Sequence, residues 1–237
     1  MNKRVAALAM AAVMCIGATG CKKKSKPKCE NFDLAEAAQL MEAEKFTDIS
    51  LLSATMKRIQ EDMLNRKKGD TQALYNTLDS STFDEFLEAY PEAAGISLIK
   101  LDELENYTYL ISFEKGGDKC LKNLAGMCYV FKTEEAAQEF FDAYKPSTDD
   151  MLEYYQLMEK SNGSSEGGKT KERDDGLQYR CYTLGGEDVM VRFEEGTYKK
   201  GKVVIDIFEI IVLYNGESKQ INEYCDMLGV PRPGDEA

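Results

Sequence analysis

Residues 203–214 read Val-Val-Ile-Asp-Ile-Phe-Glu-Ile-Ile-Val-Leu-Tyr. So many β-branched and apolar side chains in one short run predict a central strand, covered on both faces. Such a strand needs partners, and the chain offers them. Leu177 to Leu184 and Asp188 to Glu195 flank a turn containing Gly185-Gly186, which reads as a pair of adjacent strands. In the second, Val189, Val191 and Phe193 alternate with Met190, Arg192 and Glu194, so one face is expected to be buried and one wet. Tyr107 to Phe113 and Met127 to Lys132 are further strand candidates.

Helical spacing occupies the remainder. Leu34, Ala37, Ala38 and Met41 fall on one face of a helix that Asn31 or Asp33 can cap and that runs to about Glu44. Leu52, Met56, Ile59 and Met63 form a second stripe, from about Leu51 to Lys67. Shorter helices are expected at 71–79 and 83–90, the last stopped by Pro91. Thr133 can cap a helix from Glu134 to Tyr144, with Phe140 and Phe141 inward. Ser147 with Asp150 opens another, to Lys160. Residues 161–175 read as a loop of Gly, Ser and charge. A final helix from about Glu217 to Leu228 has Ile221, Tyr224, Cys225 and Leu228 as its stripe, and Gly229 and Pro231 stop it. The expected fold class is α+β: a helical N-terminal part (31–95) followed by an antiparallel sheet packed with helices (96–237). Val130-Phe131 leading into Thr133 and Phe140-Phe141 resembles the strand-to-helix units of ferredoxin-like α+β modules.

The start of the chain has a different character. Lys3 and Arg4 precede an apolar run from Val5 to Ile16, and Lys22, Lys23 and Lys24 follow. The run is short of the roughly 20 residues that span a bilayer, and it fits the h-region of an export signal. Small residues then lead to a cysteine in Ala18-Thr19-Gly20-Cys21. This segment resembles the lipobox of bacterial lipoproteins, with Ala18 where that family usually has Leu. Cys15 is preceded by the bulky Met14 and suits cleavage less well. The resemblance implies removal of residues 1–20, a diacylglycerol on the Cys21 sulfur and often an acyl chain on its new amino group. The membrane would then be a partner through that lipid. The arrangement as a whole also resembles uncharacterised small lipoproteins of clostridia-like bacteria, which implies a place outside the cytoplasm and no particular activity.

Charge agrees with that organisation. Residues 21–30 form a basic tether carrying Lys22, Lys23, Lys24, Lys26 and Lys28. From Cys29 onward, 23 Lys and Arg face 42 Asp and Glu, a net charge of −19. Anionic head groups attract the tether and repel the body, which holds the body off the membrane. An acidic body also argues against nucleic acid as a partner. The chain contains no His, which excludes Ser-His-Asp and Cys-His catalysis and imidazole zinc sites.

With Cys21 lipidated, Cys29, Cys120, Cys128, Cys181 and Cys225 remain, an odd number that cannot pair completely. Cys120 with Cys128 is the candidate disulfide by proximity in sequence, and Cys181 with Cys225 is an alternative. No CxxC pair suggests exchange chemistry. Gly163-Ser164-Ser165-Glu166-Gly167-Gly168-Lys169-Thr170 fits the Walker A pattern, and Val203-Val204-Ile205-Asp206 resembles its partner strand. A phosphate loop must leave a buried strand and open a helix, whereas a polar helix is expected before this loop and charged residues follow it. Asp149-Asp150, Asp174-Asp175 and Glu194-Glu195 are candidate calcium or glycosidase carboxylates, although a chain this acidic contains such pairs in any case. Tyr154, Tyr155, Tyr179 and Tyr182 fit core positions better than a recognition surface.

These features point to an extracytoplasmic, lipid-anchored module that binds a protein, peptide or wall component, with no catalytic residue and no cofactor assigned. A small-ligand binder or transporter accessory subunit is the alternative. A carboxylate-based hydrolase ranks third.

Overall fold

The computed structural model describes residues 27–83, 101–116, 121–144, 165–184, 191–212 and 219–236. The elements in chain order are α1 (Leu34–Leu40), β1 (Glu44–Lys45), α2 (Leu52–Met63), β2 (Thr71–Asp79), β3 (Leu104–Lys115), β4 (Leu121–Phe131), α3 (Glu134–Ala143), β5 (Ser165–Gly167), β6 (Lys171–Glu172), β7 (Gln178–Leu184), β8 (Val191–Lys200), β9 (Val203–Val212), α4 (Lys219–Leu228) and α5 (Pro233–Glu236). The class is α+β. Nine strands form one mixed sheet in the order β1-β2-β3-β4-β9-β8-β7-β5, with β6 also paired to β7. Only β1 runs parallel to its neighbour; every other pairing is antiparallel. β9 lies between β4 and β8, where its apolar run requires it to be.

Side chains alternate across each strand, so register assigns them to faces. Leu110, Leu124, Cys128, Ile205, Ile207, Tyr198 and Cys181 share one face and pack under α1 and α4. Tyr107, Tyr129, Phe131 and Val204 occupy the other, under α3, with Leu52 of α2 alongside. Ile59 and Met63 of α2 pack on Leu74 and Phe113 of that same face. On the α2/α3 face the aromatic rings run in sequence. Phe83 meets Tyr107 at 4.4 Å between centroids, Tyr107 meets Tyr129 at 5.2 Å, and Tyr129 meets Phe140 at 4.7 Å. Their tilted geometry suits the ring quadrupoles.

The helix ends follow the local chemistry. The Asp33 side chain accepts from Ala35 N, and that of Thr133 from Ala136 N. α4 stops at Gly229, whose φ of +68° is the left-handed conformation that glycine adopts without strain. Val230 N then donates back to Cys225 O at 2.9 Å. Gly196 answers a packing need. Any β-carbon there would stand 2.0 Å from the Tyr198 hydroxyl, so the absent side chain makes room for that ring.

Three expectations are corrected. Residues 71–79 are strand β2, fully paired with β3 from Thr71↔Glu114 to Asp79↔Asn106. Leu74 and Leu78 mimic a helical stripe, but both point to one face of a sheet with Leu74 buried against Phe113. β1 and β2 therefore carry the sheet into residues 31–95, and no separate helical part precedes it. Residues 165–172 contain β5 and β6 rather than a continuous loop, because β7 offers them a free edge. β8 is covered on both sides, since Phe193, Glu194 and Glu195 are all buried. The ferredoxin-like unit holds only as the local step from β4 to α3. The helix expected from Ser147 to Lys160, most of that at 83–90 and the Gly185-Gly186 turn lie outside the described residues.

Candidate functional site

α1, β1, β2, β3 and α4 enclose a cleft of about 220 Å³ lined by Met41, Glu42, Glu44, Thr71, Gln72, Ala73, Ser112, Gln220 and Tyr224. Its floor comes from the sheet face that α1 and α4 leave uncovered between them. Ser112 of β3 stands opposite Ala73 of β2 and Leu124 of β4. Gln220 begins the second layer. It lies in the first turn of α4, only 2 % exposed, and its Oε1 accepts from Ser112 Oγ at 2.5 Å. Gln220 Nε2 is buried without a partner among the described residues. Turning the amide over would not help, since only one end of the group is engaged. Tyr224, one helical turn on, is 1 % exposed, and its buried hydroxyl also lacks a partner among the described residues. Burial raises the Tyr224 pKa, so it stays a neutral donor. An unpaired buried polar group costs on the order of 1–3 kcal/mol, and this cleft holds two on one helix.

The mouth is acidic. Glu42 and Glu44 are exposed, and neither has a cationic partner among the described residues. Glu42 is held there by the end of α1. Its N–H donates to Gln39 O at 3.0 Å and Ala43 N donates to Ala38 O at 2.9 Å, the hydrogen bonds of a Schellman stop. That stop puts Glu42 at φ +58°, a position usually taken by glycine. A side chain there costs roughly 1–2 kcal/mol. Strain of this kind gathers where function holds it in place.

Beneath α4 a carboxylate extends the polar strip. Glu209 of β9 is fully buried, and its Oε2 accepts from Ile221 N at 3.2 Å. Burial pushes its pKa up to about 7, although the Ile221 N–H and Lys122 favour the charge. Lys122 itself bonds Glu114 at 3.2 Å across the β3–β4 pair.

Among the described residues, Glu194 and Glu195, adjacent in sequence, do not act as a pair. Glu194 and Glu195 project to opposite faces, Glu194 toward Arg192 at 2.5 Å and Glu195 toward Asp206. Asp175 sits on an exposed turn with Arg173 at 2.7 Å and Lys200 at 2.9 Å, which hold its pKa low. Asp149-Asp150 lies outside the described residues. A different pair forms across strands on the α2/α3 face. Asp206 accepts from Thr197 Oγ1 at 2.7 Å and adjoins Glu195 and Tyr144. Both carboxyls are 0 % exposed. Burial, then the neighbouring Glu195 charge, raises the Asp206 pKa well above its ordinary value. A proton is therefore retained in the pair. The residue in the Walker-B-like position is thus a buried structural acid. The Walker-A-like segment enters β5 and then β6, with no helix to receive a phosphate.

Of the candidate disulfide, Cys128 is a buried thiol in β4, and Cys120 lies outside the described residues. Cys181 and Cys225 are free. They are buried around the Tyr198 hydroxyl, which stands 3.4 Å from Cys225 Sγ and donates to Pro231 O at 2.7 Å. Burial pushes all three thiols up to about 12, and Cys29 to about 11. None is an activated nucleophile. Tyr179 and Tyr182 are core residues, while Tyr154, Tyr155 and Cys21 lie outside the described residues.

The arrangement is an α+β module with a polar, acidic-mouthed cleft. No family model matches the chain, and no curated protein matches it. Among solved structures it is similar to the extracellular domain of PknH from Mycobacterium tuberculosis, at 12% identity and a TM-score of 0.31, over 73% of this chain and 87% of that one. Among the described residues no helix is long and apolar enough to cross a membrane.

Proposed function

We propose that this protein is a lipid-anchored module of the cell envelope, facing outside the cytoplasm, that binds a ligand rather than transforming one. The observation that carries the binding half is the cleft: two buried polar groups on α4 left unpaired, at a site with an acidic mouth. Polar groups in such a position are an affinity reserve, because a ligand that pairs them removes a penalty the empty protein bears. The thiols have high pKa values, and the Asp206–Glu195 carboxyl pair is sealed under α3. Neither provides a nucleophile or an acid-base couple open to a substrate. This supports the small-ligand reading over partner binding through a broad surface.

The anchoring half rests on Ala18-Thr19-Gly20-Cys21 and the basic tether. Cys29 N donates to Met227 O at 2.9 Å, so the folded body begins eight residues after Cys21. Fully extended, those residues reach at most about 28 Å, close enough for the lipid to hold the module beside the bilayer. Two or three acyl chains would make that hold stable.

Metabolic labelling with a fatty acid tests the anchor. The expected result is label on the wild-type protein, and for Cys21→Ala no label and release from the membrane fraction. Label persisting in Cys21→Ala overturns it. Turnover of a substrate, abolished by Glu195→Gln or Asp206→Asn in a protein that still folds, would overturn the non-catalytic half.

A further inference from the structure

We propose that the cleft binds an organic ammonium group whose molecule also carries a neutral carbonyl or hydroxyl acceptor, the chemistry of an α-amino amide. This deepens the binding reading above and rests on it. Glu42 and Glu44 set the outer requirement. Both are carboxylates without a cationic partner among the described residues, and both line the mouth. A cation there neutralises them, and the strongly acidic body draws it in.

The inner requirement comes from α4. Gln220 Nε2 and the Tyr224 hydroxyl are buried donors without a hydrogen-bond partner among the described residues. They ask for an acceptor. Among the described residues no lysine or arginine lines the cleft. Glu209 is buried below the first turn of α4, bonded to Ile221 N, and Lys122 beside it already serves Glu114. A deep ligand carboxylate would add a further buried negative charge, so a neutral oxygen is preferred. At about 220 Å³ the cleft holds roughly seven waters' worth of volume, which suits a molecule of amino-acid size or the first residue of a peptide.

Glu42 adds an independent argument. Its left-handed backbone, φ +58°, is where glycine would be more stable. The chain bears that strain at the one position of the α1 stop that puts a carboxylate on the mouth.

Calorimetric titration of the full-length protein in detergent with alaninamide tests the proposal, beside N-acetylalaninamide and trialanine amide. Alaninamide or trialanine amide is expected to bind saturably, and the acetylated compound not to bind. Tighter binding of alaninamide assigns a free small amine; tighter binding of trialanine amide assigns a peptide amino terminus. Tyr224→Phe and Glu42→Gly should each weaken binding about tenfold, an effect of about 1.4 kcal/mol. Both should leave the melting temperature of the empty protein equal or higher, since one removes an unpaired hydroxyl and the other a strained side chain. A merely structural role for either residue would lower it. The proposal is overturned if neither amine binds at about 10 mM, where a Kd near 1 mM would show. Equal binding of the acetylated compound, or unchanged affinity in both variants, overturns it as well. Fatty-acid labelling reads the anchor separately, so failure here leaves that reading standing.

Discussion

The two faces of the sheet are built to different ends. The α2/α3 face is filled by aromatic rings from Phe83 through Tyr107 and Tyr129 to Phe140. Its buried acids, Asp206 and Glu195, are closed off with Thr197 and Tyr144 around them. The α1/α4 face mixes aliphatic side chains and thiols with Tyr75, Tyr179, Tyr198 and Tyr224. It leaves a gap between its helices, where Gln220 Nε2 and the Tyr224 hydroxyl lack partners among the described residues. The first face stabilises the sheet. The second gives up some of that stability and keeps a site.

The largest test of this contrast removes a ring. Phe140 is buried between Tyr129, Phe131 and Tyr144. Phe140→Ala should cost about 3–5 kcal/mol in urea unfolding, as aromatic-to-alanine changes in tight cores do. A loss near 1 kcal/mol would mean that this face collapses easily around a void, and the division of labour would fail.

The next test uses pH, because each face holds a buried acid. The pKa values of Glu209 and Asp206 are both raised in the folded protein, in each case first by burial. A raised carboxyl binds its proton more tightly folded than unfolded. Its stabilising effect is complete at low pH and is lost as pH rises through the folded value. For Glu209 the window runs from its ordinary value near 4.5 to about 7, a loss of roughly 3 kcal/mol at most. Glu209→Gln keeps an acceptor for Ile221 N and removes the charge. It should raise stability at pH 8 by about 2 kcal/mol and flatten the profile between pH 5 and 7. Asp206→Asn should flatten the rise-of-pH loss that remains, with the same sign. A wild-type profile in which stability climbs from pH 5 to 8 would contradict both assignments.

Much of the scaffold was legible in the sequence, for reasons these residues make plain. The stripes of α1, α2 and α4, the Thr133 cap, the Gly229 stop and the central place of β9 follow from local periodicity and capping, which the chain spells out in a few neighbouring residues. β2 was not legible, because Leu74 and Leu78 satisfy both a helical and a strand spacing and only the pairing with β3 decides. The site was scarcely legible at all. Gln220 and Tyr224 look like ordinary helix positions until Ser112, 108 residues away in the chain, arrives beside them. The acids misled in the same manner. Adjacency suggested Glu194-Glu195, but strand alternation separates neighbours and brings Glu195 to Asp206 instead. Glu42 carried a signal that could have been read, a charged residue just past a helix where glycine is usual.

The smallest test compares the two helix stops on the cleft face. α1 ends on Glu42 at φ +58° and α4 on Gly229 at φ +68°, and each stop has the longer return bond, Ala43 N to Ala38 O and Val230 N to Cys225 O. Gly229→Ala makes the second stop resemble the first and should cost about 1 kcal/mol. That cost should fall on α4 rather than on the sheet. Cys225 of α4 and Cys128 of β4 are both buried, free thiols on this face, so alkylation of the native protein reports their exposure by local opening. In Gly229→Ala the Cys225 rate should rise about fivefold, the factor that 1 kcal/mol represents, while Cys128 keeps its wild-type rate. If the two thiols speed up together, α4 opens only with the sheet. The cleft face would then be as firmly closed as the aromatic one, and the strain at Glu42 would have no flexible site to serve.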